Sequence, residues 1–177
     1  MSKFVLFSFI YLSSIQFVFG QIPERYLTDS YEPESFEVRK SKVYIDGQYI
    51  PKDLKDAMNE LDKRMEDDAK QAFMSLTEEE AGKKAFFSFG RWMMLKWGME
   101  DGSRYTAFFQ SNEIGVVEDM VRITMLCYHR HLHSKPLEEQ VFMQRFKEVR
   151  KKEFEEKQKK LLKYSRKLEP EKEGGQQ

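Results

Sequence analysis

The stretch EEEAGKKAFFSFGRWMMLKW, residues Glu78 to Trp97, decides the fold class. Set at about 100° per residue, Ala81, Ala85, Phe86, Phe87, Phe89, Trp92, Met93, Met94 and Trp97 spread over roughly two-thirds of a helical circumference. Lys84, Ser88 and Arg91 take the remaining sector. A surface helix carries a narrower apolar stripe, so the pattern predicts one helix over 78–97 at the centre of a helical domain. Lys96 falls inside the apolar arc, where it must snorkel outward or find a partner.

Working outward, Thr77 and Glu80 stand three apart before this run and form a capping-box signature for its start. A short helix over Ala69 to Met74 precedes it. Before that, Pro51 and Asp53 open an amphipathic helix with Leu54, Ala57, Met58, Leu61 and Met65 on one face. Asp46-Gly47, between the β-prone pairs of Val43 to Ile50, marks a hairpin that must pack on the helices, because an isolated two-stranded ribbon is marginal. Gln21 to Lys40, with Pro23 and Pro33 and no periodicity, reads as an extended leader.

On the other side, Gly98 to Gly102 is a turn and Ser103 caps a helix through Phe109. A further helix runs from Glu118 to about His133, burying Met120, Val121, Thr124, Met125, Cys127, Tyr128 and Leu132 and turning Glu118, Arg122, His129 and His133 outward. Lys135-Pro136 breaks the pattern and begins a last helix anchored by Leu137, Val141, Phe142, Phe146 and Val149. The expected fold is mainly α: a compact bundle of about five or six helices, a small N-terminal β-hairpin and a long charged C-terminal helix. The expected divisions are a helical domain over 41–142, a basic helix over 143–168 and a disordered tail over 169–177.

Lys3, the apolar run Phe4 to Phe19 and small Gly20 read as a secretory signal peptide over 1–20, with a leader over 21–40 after it. The rival reading is an uncleaved anchor, but Ser8, Ser13, Ser14 and Gln16 interrupt a run shorter than the about 20 apolar residues that span a bilayer. The expectation is a secreted, extracellular protein with no membrane span after cleavage. The chain has one cysteine, Cys127, so no intramolecular disulfide can form, and packing of fifteen Phe, eight Tyr and two Trp must stabilise it. Neither Asn59 nor Asn112 begins an N-glycosylation sequon.

The whole chain carries 30 basic and 30 acidic side chains. Its cations concentrate in Arg145 to Lys167, where eleven Lys or Arg face four Glu. This basic helix, 145–168, either lies against an acidic body or meets an anionic extracellular partner, and the signal is compositional. Nucleic acid is not an expected partner for an exported chain.

Chemistry-bearing motifs are few. Cys127, His129, His131 and His133 invite a zinc reading, but alternate residues of a helix point about 200° apart and cannot converge. No metal site and no cofactor are expected. Gly-x-Ser-x-Gly elbows and phosphate-binding glycine loops are absent from the sequence. The acidic pairs Asp67-Asp68 and Glu78 to Glu80 are helix starts.

The run Trp92-x4-Trp97-Gly98-x3-Gly102-Ser103-Arg104, then Gly115, Glu118-Asp119-Met120, Tyr128-x-Arg130-x-Leu132 and Leu137-x2-Gln140, resembles a small domain-of-unknown-function family of mainly uncharacterised bacterial proteins. The resemblance spans about Ile50 to Gln140. It implies a compact helical domain and no particular activity. Met94-Leu95 stand where the family carries Arg-Asn, and Glu100 or Asp101 where it carries an aromatic residue. Arg104 and Arg130 are the matching charged positions, open to a structural or a ligand-binding role.

The leading functional expectation is a secreted, non-catalytic interaction domain working through its basic helix or a groove near Trp97 and Arg104. The alternatives are a small secreted enzyme using Arg104, His129 and Arg130, and a purely structural secreted protein.

Overall fold

The longest fully wrapped helix of the structure, a computed structural model, is not the run 78–97 but Val117–Leu132. Described are residues 34–168, with side chains as far as Ser165. The expected signal sequence at 1–20, most of the expected leader and the expected tail at 169–177 lie outside the described residues. Among those described are eight α-helices: α1 Phe36–Arg39, α2 Leu54–Arg64, α3 Asp67–Met74, α4 Glu78–Lys84, α5 Arg91–Lys96, α6 Arg104–Ser111, α7 Val117–Leu132 and α8 Glu139–Leu168. A π-turn, Phe86–Gly90, joins α4 to α5, and a two-stranded antiparallel ribbon, β1 Tyr44–Ile45 with β2 Gln48–Tyr49, precedes α2. The mainly helical bundle, the hairpin and the long C-terminal helix are as the sequence predicts.

α7 buries residues on all sides, including Met120, Val121, Ile123, Met125, Cys127 and Tyr128. It touches every other helix from α2 onward, and the π-turn as well. Each such side chain removed from water contributes about 1.5–3 kcal/mol, which makes this helix the axis of the fold. Asp119, Thr124 and His129 are buried in it too, so an outward polar face is missing at His129. Neighbours wrap it on both sides, and a stripe calculation over one helix cannot register that.

The predicted single helix over 78–97 is divided. Its start is as expected: Thr77 Oγ1 accepts from the Glu80 N–H while a Glu80 oxygen accepts from the Thr77 N–H at 3.0 Å. At Gly90 the amide reaches back to the Ala85 carbonyl, 3.1 Å away, adding one residue to the turn. A Cβ on Gly90 would stand 2.9 Å from Val121 Cγ1, so the bare glycine lets the turn press against α7. The extra residue re-aims the aromatics: Met93 and Trp97 are buried, whereas Phe87 is 85% exposed. Lys96 snorkels to the exposed surface.

The hairpin turn has Asp46 at φ 48° and Gly47 at φ 72°, the two left-handed residues that a tight two-residue loop demands. Ile45 and Ile50 enter the core and fix the ribbon on the helices.

One expectation about the leader changes. Its last residues form α1, and Arg39 is buried, with Nε donating to the Gly102 carbonyl at 2.8 Å. Phe36 fills the space where a Cβ on Gly102 would sit, 2.2 Å from Phe36 Cδ2. Gly98 and Gly102 also hold positive φ, 55° and 85°. The glycines of the Trp-Gly-x3-Gly-Ser-Arg run thus bend the loop and leave room for α1 to dock. α8 runs without a break across the expected boundary at 142/143. Phe142 and Met143 are buried at its near end, and from Glu148 to Ser165 every residue is exposed.

Candidate functional site

Arg104 opens α6 one residue after its cap, Ser103, whose hydroxyl accepts from the Thr106 N–H. Its guanidinium reaches back to the hairpin: Nε donates to the Ile50 carbonyl at 2.6 Å, and the group lies 5.0 Å from the Tyr49 ring centroid. Nη2 is 3.8 Å from Asp56 Oδ2, an electrostatic contact without a hydrogen bond. Tyr49 donates to that same carboxylate at 2.7 Å, and this bond, with burial, raises its phenol pKa above the ordinary value. Arg104 therefore ties β2, α2 and α6 together.

Trp97, the expected groove residue, is 1% exposed. Its ring meets Tyr105 edge-on at 5.0 Å and Trp92 at 5.9 Å. A ligand could reach it only by opening the core.

Arg130 is equally committed. Nε donates to the Pro136 carbonyl at 2.6 Å, Nη1 to Glu78 at 3.0 Å, and Nη2 pairs with Glu138 at 2.6 Å. These contacts fasten the end of α7 to the start of α4 and to the turn into α8. Of the two roles open to Arg104 and Arg130, both side chains fill the structural one.

The histidines do not converge on one point. His129 Nε2 meets the Leu76 carbonyl at 2.8 Å and His133 Nε2 meets the Met74 carbonyl at 3.2 Å. A carbonyl only accepts, so each Nε2 carries the proton. Together they satisfy carbonyls left open where α3 ends. His129 Nδ1 is buried without a partner. His131 points elsewhere, with Nε2 2.6 Å from Asp62 Oδ2, and Tyr128 donates to the other oxygen of Asp62 at 3.3 Å. Asp62 had no sequence signal, because its partners lie a whole helix pair away. Among the described residues, no group of three or more His, Cys, Asp and Glu side chains is placed to hold a metal ion.

Nucleophilic chemistry has little foothold in these groups. Burial pushes the Cys127 thiol up to about 12, so the reactive thiolate is absent near neutrality. Burial, with the Asp62 charge and hydrogen bond, also raises the Tyr128 phenol. None of the five described cavities is lined by Arg104, Arg130, Trp97 or a histidine.

The polar surface left uncommitted is the far part of α8. Lys151, Lys152, Lys157, Lys159, Lys160 and Lys163 are exposed, and none meets a carboxylate within 4.0 Å among the described residues. Phe154, Leu161, Leu162 and Tyr164 are more than half exposed on the same segment. The near part is different, because Arg150 is pinned to Asp119 and Lys147 to Glu113. Among the described residues, no helix is long and apolar enough to cross a membrane.

No curated protein and no solved structure matches the chain. The family model that matches begins just after β2 and ends with α7, leaving α1 and α8 outside. Residues 50–132 are accordingly a domain of unknown function, DUF6794.

Proposed function

We propose that the protein is a secreted, non-catalytic binding domain that meets an anionic extracellular partner through the exposed basic length of α8. The single observation that carries this reading is the run of exposed lysines from Lys151 to Lys163, which meet no carboxylate within 4.0 Å among the described residues. A segment that buries nothing adds little to stability, and cations on such a helix attract polyanions by releasing their counterions. Secretion rests on the sequence of residues 1–20, with its basic start, apolar core and small residue before Gln21.

The enzyme alternative has less support. Arg104 and His129 each commit a nitrogen to a carbonyl of the same chain, Arg130 is held by a carbonyl and two carboxylates, and none of the three lines a described cavity.

The test is retention of the mature chain, residues 21–177, on immobilised heparin over a salt series. The proposal expects retention that falls steeply with salt and is lost when residues 154–168 are deleted. Equal retention of the truncated chain would contradict it.

A further inference from the structure

A groove between α4, α7 and α8 is separate from the exposed lysines. It measures about 200 Å³ and has Gly82, Leu126, Phe146 and Val149 on its apolar sides. Lys83, Arg122 and Arg145 supply cations, and Glu79 the one carboxylate among its lining residues. Glu79 is already taken: Lys83 lies 2.6 Å from it and, by that bond first and with a smaller contribution from Arg145, holds its carboxyl below the ordinary value. Two positive charges remain uncompensated.

Arg122 is the unusual member. Its guanidinium lies 5.2 Å from the Phe86 ring centroid, and its Nε is covered with no hydrogen-bond partner. A covered donor without a partner costs about 1–3 kcal/mol, so an acceptor that reached this guanidinium would offset that cost. Neither Arg122 nor Arg145 has a carboxylate within 4.0 Å among the described residues.

We infer that this groove binds a small aliphatic carboxylate, its head between Arg122 and Arg145 and its chain along Leu126, Phe146 and Val149. Charge complementarity selects the head, because a guanidinium offers paired N–H groups that match the two oxygens of a carboxylate. The apolar wall selects the chain. Size limits it, since the groove is smaller than the roughly 300 Å³ at which sites for drug-sized ligands begin. Gly82 lets α4 pack closely on Leu126, since a Cβ there would come 3.3 Å from Leu126 Cδ2.

Titration calorimetry of the mature chain with octanoate, octanol and acetate, each well below any micellar range, tests the assignment. Octanoate should bind saturably, with octanol and acetate each weaker by about tenfold or more, since each lacks one half of the recognition. Arg122→Gln and Arg145→Gln should each weaken octanoate by about tenfold, the usual loss on removing a charge-assisted bond. Because Arg122 also packs on Phe86, Val149→Glu serves as a second variant: Val149 is exposed, so the change leaves the core intact while putting a negative charge on the apolar wall, one helical turn from Arg145, where it competes for that guanidinium. That variant should abolish binding with an unchanged thermal midpoint. Absence of octanoate binding, equal binding of octanol, or full binding by Val149→Glu would each overturn the inference. The truncation of residues 154–168 leaves every lining residue in place, so octanoate binding should survive it whether or not heparin retention does.

Discussion

Arg150 on α8 grips the carboxylate of Asp119 on α7 side-on, with Nε 2.6 Å from Oδ2 and Nη2 2.7 Å from Oδ1. Asp119 is 3% exposed at its side chain and Arg150 is 42% exposed. The hydrogen bond to Asp119 is the largest cause of a raised guanidinium pKa at Arg150. Among the described residues this is the last ion pair by which α8 holds the body, and it divides the helix into an anchored part and an exposed part.

Removing Arg150 leaves Asp119 buried without its counter-charge. Arg150→Ala should cost about 2–3 kcal/mol, less than a fully buried pair because water already screens the arginine. Pairing Arg150→Gln with Asp119→Asn should recover part of that loss. Urea unfolding of the two variants checks this, and equal destabilisation of both would refute the pairing.

Gly102→Ala should destabilise the domain by about 1–2 kcal/mol through its positive φ alone. Contact with Phe36 adds to that, since the new Cβ would come 2.2 Å from the ring. The thermal midpoint should fall by about 2–4 °C for each kcal/mol. Adding Phe36→Ala should restore only the contact share, and an unchanged midpoint in Gly102→Ala would contradict the docking of α1 on this loop.

Glu80 gives a pH-dependent signature. The Lys84 hydrogen bond first, then the Thr77 N–H and hydroxyl, bring its carboxyl from 4.5 to about 2. A lowered folded-state value means that its stabilising contribution is present above pH 4.5 and is lost as pH falls toward 2. The stability difference between the native chain and Glu80→Gln should therefore shrink across that window. A difference that stays constant through it would exclude the Glu80 charge as its source.

Cys127 should be silent toward a chromogenic disulfide reagent at mildly alkaline pH in the folded protein, since burial lifts its thiol to about 12. It should react at once in denaturant. Rapid reaction of the folded chain would show that the α7 core opens easily.

Local chemistry made the fold largely legible. Asp46-Gly47, Asp53, the Thr77–Glu80 box and Ser103 each start or turn an element where the sequence predicts. The π-turn was not legible, because the glycine that requires it is read against Val121, thirty-one positions later in the chain. Contacts between distant segments hid the rest. Arg39 on Gly102 and Asp119 beneath Arg150 are charged residues drawn inward by partners that no single-helix periodicity reveals, and Asp62 is tied to His131 by the same kind of distant contact. Trp97 and Arg104 were visible as a motif, yet their neighbours assign them to packing. The unpaired Arg122 looked like an ordinary residue on a polar helix face until α4 and α8 were laid over it.

The most direct test of the account changes charge and leaves the body untouched. Lys157, Lys159, Lys160 and Lys163 all replaced by Gln should keep the thermal midpoint of the native chain, because these side chains are exposed and meet no carboxylate among the described residues. At about 1 kcal/mol for each cation near an anionic surface, binding to heparin at low salt should fall by two to three orders of magnitude. Unchanged affinity together with an unchanged midpoint would contradict the claim that α8 is the binding element.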